Sequence, residues 1–109
     1  MEDDPYLEMI DEQWDSIIAM YRTFAGKKQI IEYNVTTQKI YSYPADDYIR
    51  TLSERTRDHT RRQFEEAASC NQFLLFVKDT KKRRLRSYVL ELPEWSVRDW
   101  LHPPVPSPG

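Results

Sequence analysis

Two glycines and one cysteine in a chain of 109 residues exclude several functions at once. Loops that cradle nucleotide phosphates need three or more closely spaced glycines, so no nucleotide cofactor is expected. A lone Cys70 excludes an internal disulfide framework and any cysteine-based zinc cluster. Long apolar runs are missing too: the longest, Phe73-Leu74-Leu75-Phe76-Val77, is far short of the ~20 residues that cross a bilayer. No membrane partner is therefore expected. The opening Met-Glu-Asp-Asp-Pro is acidic where a secretory signal would be basic, and no apolar segment follows it. These features point to a cytoplasmic protein. Asn34-Val35-Thr36 matches the glycosylation pattern, a chance match in that setting.

What the chain has is aromatic residues and charge. Aromatics make up 13% and charged residues 31%, so a few large side chains must supply most of a modest core. The charge is unevenly spread. Residues 1–54 carry eleven acids and five bases, whereas 55–109 carry seven acids and eleven bases. Such polarity steers a partner, or lets one copy's acidic end meet another's basic end.

Asp4 before Pro5 is a helix start, an acceptor at the cap and proline at the first helical position. Leu7, Ile10, Trp14, Ile17, Tyr21 and Phe24 then recur every three or four residues. This predicts an amphipathic helix to residue 24, ended near Gly26. Gln29–Asn34 and Lys39–Tyr43, rich in β-branched and aromatic residues, predict a hairpin closed by Pro44. A second helix over roughly 45–68 is interrupted by Ser53 to Arg62, ten residues without a strongly apolar side chain. There Thr56, His59 and Thr60 would hold the core-facing stripe. The helix breaks, projects past the sheet, or lines something polar. A second hairpin follows, 73–77 and 85–92, with a basic connection over 78–84. A short helix over 94–101 and an extended proline-rich tail over 103–109 complete the reading.

The expected fold is therefore one α+β domain, residues 1–102, of order α-ββ-α-ββ: an antiparallel sheet of about four strands with two main helices packed on it. Lys39-Ile40-Tyr41-Ser42-Tyr43 loosely echoes Arg84-Leu85-Arg86-Ser87-Tyr88, which admits two similar halves.

Apolarity on both faces of the later strands drives the functional expectation. Phe73, Leu75 and Val77 point one way and Leu74 and Phe76 the other. Leaving a second apolar face wet is costly, at ~1.5–3 kcal/mol for each large side chain. Its cover is the terminal segment around Trp95 and Trp100, another molecule, or one helix on each face. The first expectation is a non-enzymatic protein-binding or regulatory module that self-associates through an apolar face as a homodimer, or binds another protein. Its interface would use Phe73, Leu74, Phe76, Tyr88, Leu90, Trp95 and Trp100.

The alternative is a nucleic-acid-binding module. Lys78, Lys81, Lys82, Arg83, Arg84 and Arg86 place six bases in nine residues with Asp79 as the one acid, and Arg55 and Arg62 add charge from the second helix. A basic hairpin can track a phosphate backbone through counterion release. A solvated turn, or an electrostatic partner for the acidic first helix, explains the same bases without a ligand. No metal or catalytic group is expected. Asp58 beside His59 points about 100° away on a helix, and Cys70 has no histidine or second cysteine near it in sequence.

Overall fold

Cap chemistry starts the chain as its sequence implies. In the computed structural model, which describes residues 4–93, Asp4 accepts a 2.9 Å hydrogen bond from the Tyr6 amide and Pro5 opens helix α1, Pro5–Glu12. The long first helix is not straight. Gln13 leaves helical geometry (φ −104°, ψ 13°), and α2, Trp14–Thr23, follows at once. The bend also turns the buried face: Tyr6, Ile10, Ile17 and Ile18 are buried, whereas Leu7 and Phe24 are exposed. Buried Gln29 ends α2 by donating its side-chain amide to the carbonyls of Tyr21 (2.9 Å) and Phe24 (3.1 Å). Gly26 adopts φ +87°, a conformation that favours glycine.

Strands β1, Gln29–Asn34, and β2, Lys39–Pro44, form the first hairpin. The second helical region breaks at residues 51–53 into α3, Ala45–Arg50, and α4, Glu54–Ser69. Leu52 is buried in the break, and the Arg57 guanidinium bridges it by donating to the carbonyls of Leu52 (2.9 Å) and Arg50 (3.1 Å). Of the three residues expected on the core stripe, Thr60 is buried and Thr56 and His59 are exposed. Strands β3, Gln72–Asp79, and β4, Arg84–Glu91, form the second hairpin.

The four strands lie in the order β2-β1-β3-β4. The sheet is mixed rather than antiparallel throughout: β1 and β3 pair in parallel, with Ile31 beside Leu75 and Tyr33 beside Val77. Parallel neighbours need a long crossover, which α3 and α4 supply. That crossover carries α3 and α4 to the face opposite α1 and α2, so each face has its own core. Ile31, Tyr33, Phe73, Leu75 and Val77 pack beneath α1 and α2. Ile30, Leu74 and Phe76 pack beneath α3 and α4. The unbroken apolar run of β3 is thus that of an inner strand covered on both sides. Phe73, Leu74, Leu75 and Phe76 are each at most 3% exposed. On β3 the expected surplus of uncovered apolar sheet is not there, because the helices divide between two faces instead of sharing one; on β4 Leu85 and Val89 remain exposed.

The two halves echo each other in space. With β1 and β3 parallel at the centre and helix pairs on opposite faces, the arrangement has the symmetry of a two-fold axis running between those strands. Both hairpin turns begin at a side chain that caps the turn, Asn34 and Asp79, and end at a residue with positive φ, Gln38 (59°) and Arg83 (53°). Each half also reaches into the other. The Tyr6 hydroxyl of α1 donates to Asp79 of β3 (2.7 Å), and the Tyr48 hydroxyl of α3 donates to Glu32 of β1 (2.6 Å).

Candidate nucleic-acid interface

Parallel pairing of the inner strands puts both hairpin turns at one end of the sheet. The Asn34 carboxamide oxygen accepts from the amides of Thr36 (2.9 Å) and Thr37 (3.1 Å), and the Asp79 carboxylate accepts from the Lys82 amide (3.1 Å). The turns are tied side by side: the Thr80 amide donates to the Thr36 hydroxyl (3.1 Å), and the Val35 amide to the Lys78 carbonyl (3.0 Å). The basic connection is therefore an ordered platform, fixed by hydrogen bonds on both sides.

The single acid within residues 78–86 is turned inward. Asp79 is buried and takes hydrogen bonds from Tyr6 and from the Lys82 amide. These bonds, the Tyr6 one foremost, hold its carboxyl below the ordinary carboxylate range. The bases around it point out. Lys78, Lys81, Lys82, Arg83 and Arg84 are exposed, and no ion pair among the described residues involves them. Arg86 differs. It lies 3.6 Å from Asp4 and its guanidinium sits 5.5 Å from the Tyr6 ring centroid, so it fastens β4 to the start of α1. The acidic first helix thus meets the basic hairpin at Arg86, while Glu8, Asp11 and Glu12 remain exposed elsewhere along it. Asp4 also accepts from the Tyr88 hydroxyl at 2.6 Å, which keeps the Asp4 carboxyl low in pKa.

Beside the platform a cleft of about 530 Å³ opens between the α3–α4 break and the β3–β4 turn. Lys78, Arg83 and Arg84 line it together with Thr51 and Thr80. Glu32 and Asp79 also line it, but both are buried and bonded by tyrosine hydroxyls. Tyr48, Leu52 and Leu85 complete the lining, so the cleft has an apolar wall beside its cations and hydroxyls. Arg55 lies at the start of α4, which runs back along β3, so it shares the end of the molecule that carries the turns. Arg62 is two helical turns further along, roughly 10 Å away. Arg61 is held 3.4 Å from Asp58.

The expected interface residues fare differently. Phe73, Leu74 and Phe76 are enclosed by the chain's own helices and present no surface. Tyr88 and Leu90 are half-buried against the α1–α2 core. Trp95 and Trp100, the short helix over 94–101 and the tail over 103–109 lie outside the described residues. His59 is exposed, and its neighbour Asp58 pairs with Arg61. Cys70 is exposed at the end of α4. Among the described residues no group of three or more His, Cys, Asp or Glu side chains is placed to hold a metal ion. Nor is any helix there long and apolar enough to cross a membrane.

Sequence reading missed the Tyr6–Asp79 and Tyr48–Glu32 bonds and the cleft. One signal was available for the second bond: Glu32 is a lone acid inside an apolar strand, and such an acid needs a partner. Comparison of the chain with models of known protein families, with curated proteins and with solved structures finds no match.

Proposed function

We propose that this chain is a non-enzymatic, cytoplasmic binding module that contacts nucleic acid through its basic hairpin end. The observation that carries the reading is the inward turn of Asp79, which leaves Lys78, Lys81, Lys82, Arg83 and Arg84 exposed together, with no ion pair to any of them among the described residues. The Asp79 carboxylate is held by Tyr6 and the Lys82 amide and offsets only part of the charge of the bases, which run along two strands and the turn between them. That spread suits a chain of phosphates better than a single small anion, because each neutralised phosphate releases a condensed counterion. The acidic first half of the sequence lends orientation, so that a polyanion approaches with the basic end foremost.

The competing expectation, self-association through an apolar sheet face, would have to use residues other than Phe73, Leu74 and Phe76, which the chain's own helices enclose. The discriminating experiment is charge reversal at the turn. Lys81→Glu with Lys82→Glu should remove binding to labelled single- and double-stranded probes at low salt and leave the fold intact, since both side chains are exposed. Unchanged binding by that variant would overturn the proposal. Arg84 is left in place, because it acts on the Tyr6 hydroxyl beside Asp79.

A further inference from the structure

The cleft beside the basic turn gathers three kinds of chemistry on one face of the sheet. Glu32 of β1 lies next to Phe76 of β3, and Lys78 is two residues further along that strand, opposite Leu85 of β4. Side chains two apart on a strand share a face and stand about 7 Å apart along it. Glu32, Lys78 and Leu85 therefore lie on the α3–α4 side, where the cleft opens. Leu85 is 45% exposed, so it is the open part of an apolar wall whose other members, Tyr48 and Leu52, are buried.

Glu32 is the unusual member of the lining. Its Oε2 accepts from the Tyr48 hydroxyl, and among the described residues no hydrogen bond reaches its Oε1. A buried carboxylate that keeps an acceptor site free favours a ligand that brings a donor. The cleft thus suits a solute with three parts: a donor for Glu32, an apolar face for Leu85, and an anion for Lys78 and Arg83. A nucleotide whose base carries an exocyclic amino group has all three. At about 530 Å³, the cleft falls within the ~300–1,000 Å³ range of small-ligand sites.

Resting on the nucleic-acid contact at this end of the molecule, we propose that the cleft takes one unpaired nucleotide of a single strand, with cytosine, adenine or guanine preferred over thymine or uracil. In a duplex the amino group is spent on pairing and the base faces on stacking, so only an unpaired base offers both. Thymine and uracil flank their one ring N–H with two carbonyl oxygens, which the carboxylate repels. Lys81 and Lys82 lie outside the cleft lining, where they meet the neighbouring phosphates of a strand. A free nucleotide has no such phosphates to give them.

Fluorescence anisotropy at fixed low salt, with labelled oligo(dC), oligo(dT) and a mixed-sequence duplex of equal length, tests this, and circular dichroism checks folding. Wild type should bind oligo(dC) roughly fivefold more tightly than oligo(dT), as one hydrogen bond to a carboxylate allows, and more tightly than the duplex. Glu32→Gln should bring the two strands within about twofold of each other, whatever happens to affinity as a whole. Leu85→Ser changes an exposed side chain; it should weaken oligo(dC) about threefold and leave the duplex unchanged. Free cytidine monophosphate should compete far less well than the strand. Equal binding of the two strands, a duplex bound as tightly as oligo(dC), or a preference that survives Glu32→Gln would each overturn the proposal. So would a Leu85→Ser protein that binds oligo(dC) normally or loses duplex affinity equally, or a mononucleotide that competes as well as the strand. In each of those cases, binding that Lys81→Glu with Lys82→Glu removes would still support the nucleic-acid contact. Absence of binding to every probe would overturn both.

Discussion

The Tyr48 hydroxyl donates to the Glu32 carboxylate at 2.6 Å, joining a helix of the second half to the inner strand of the first. Both residues are buried, and Tyr48 also stacks on Phe76 and Tyr43, with centroids 5.0 and 5.4 Å apart. Burial, followed by the bond to Glu32, pushes the phenol well above its ordinary pKa. The pair lets an acid occupy an apolar sheet and lie beside the cationic cleft without filling it.

Replacing Tyr48 with phenylalanine keeps the rings packed but strands the carboxylate. Leaving a buried polar group unpaired costs about 1–3 kcal/mol. Urea denaturation of Tyr48→Phe should show a lower midpoint with the slope unchanged. A variant as stable as wild type would show that Glu32 finds water or another donor.

Stability should fall at both ends of the pH scale, for opposite reasons. The carboxyls of Asp79 and Asp4 are lowered mainly by hydrogen bonds from Tyr6 and Tyr88. Their contribution is fully present above the unfolded carboxylate pKa of about 3.9 and is lost as pH drops through the lower folded values. Tyr88 is pushed up to about 12 by burial and its bond to Asp4. Its contribution is complete below the unfolded value of about 10 and disappears as pH climbs through 12. Thermal midpoints across pH should therefore form a plateau with two falling edges. Tyr88→Phe should soften the alkaline edge and reduce the acid-side loss due to Asp4.

Phe73 and Phe76 belong to opposite cores, each closed by the chain itself. Phe73 touches Tyr21 and Trp14 at centroid distances of 5.3 and 6.0 Å, and Phe76 touches Tyr48. Phe73→Asp and Phe76→Asp should both unfold the domain, since each would bury an unpaired charge. The milder Phe→Ala changes should cost about 3–5 kcal/mol each. A folded Phe73→Asp or Phe76→Asp protein by circular dichroism would mean that its face is open after all.

Local signals made the elements legible from sequence. Asp4-Pro5, Gly26, Pro44 and the β-branched clusters mark starts and stops that the chain obeys. The polar run at 53–62 announced an interruption, which falls at its leading edge, at residues 51–53. The parallel seam was hidden, because hairpin signals are local and nothing short-range says how two hairpins meet. That omission produced the larger misreading. The β3 run looked like surplus surface when it is the signature of an inner strand. The basic residues of the candidate site were plain in the sequence. The inward turn of Asp79 was not, since it depends on Tyr6, 73 residues away.

The most direct test of the central claim is the salt dependence of wild-type binding to a labelled oligonucleotide, followed by fluorescence anisotropy. Each phosphate neutralised contributes a slope of about −0.9 in log affinity against log salt for duplex, so four or five contacts predict a slope near −4. Lys81→Glu with Lys82→Glu should flatten that line. No detectable binding to single- or double-stranded probes at low ionic strength, or binding that salt leaves unchanged, would contradict the account.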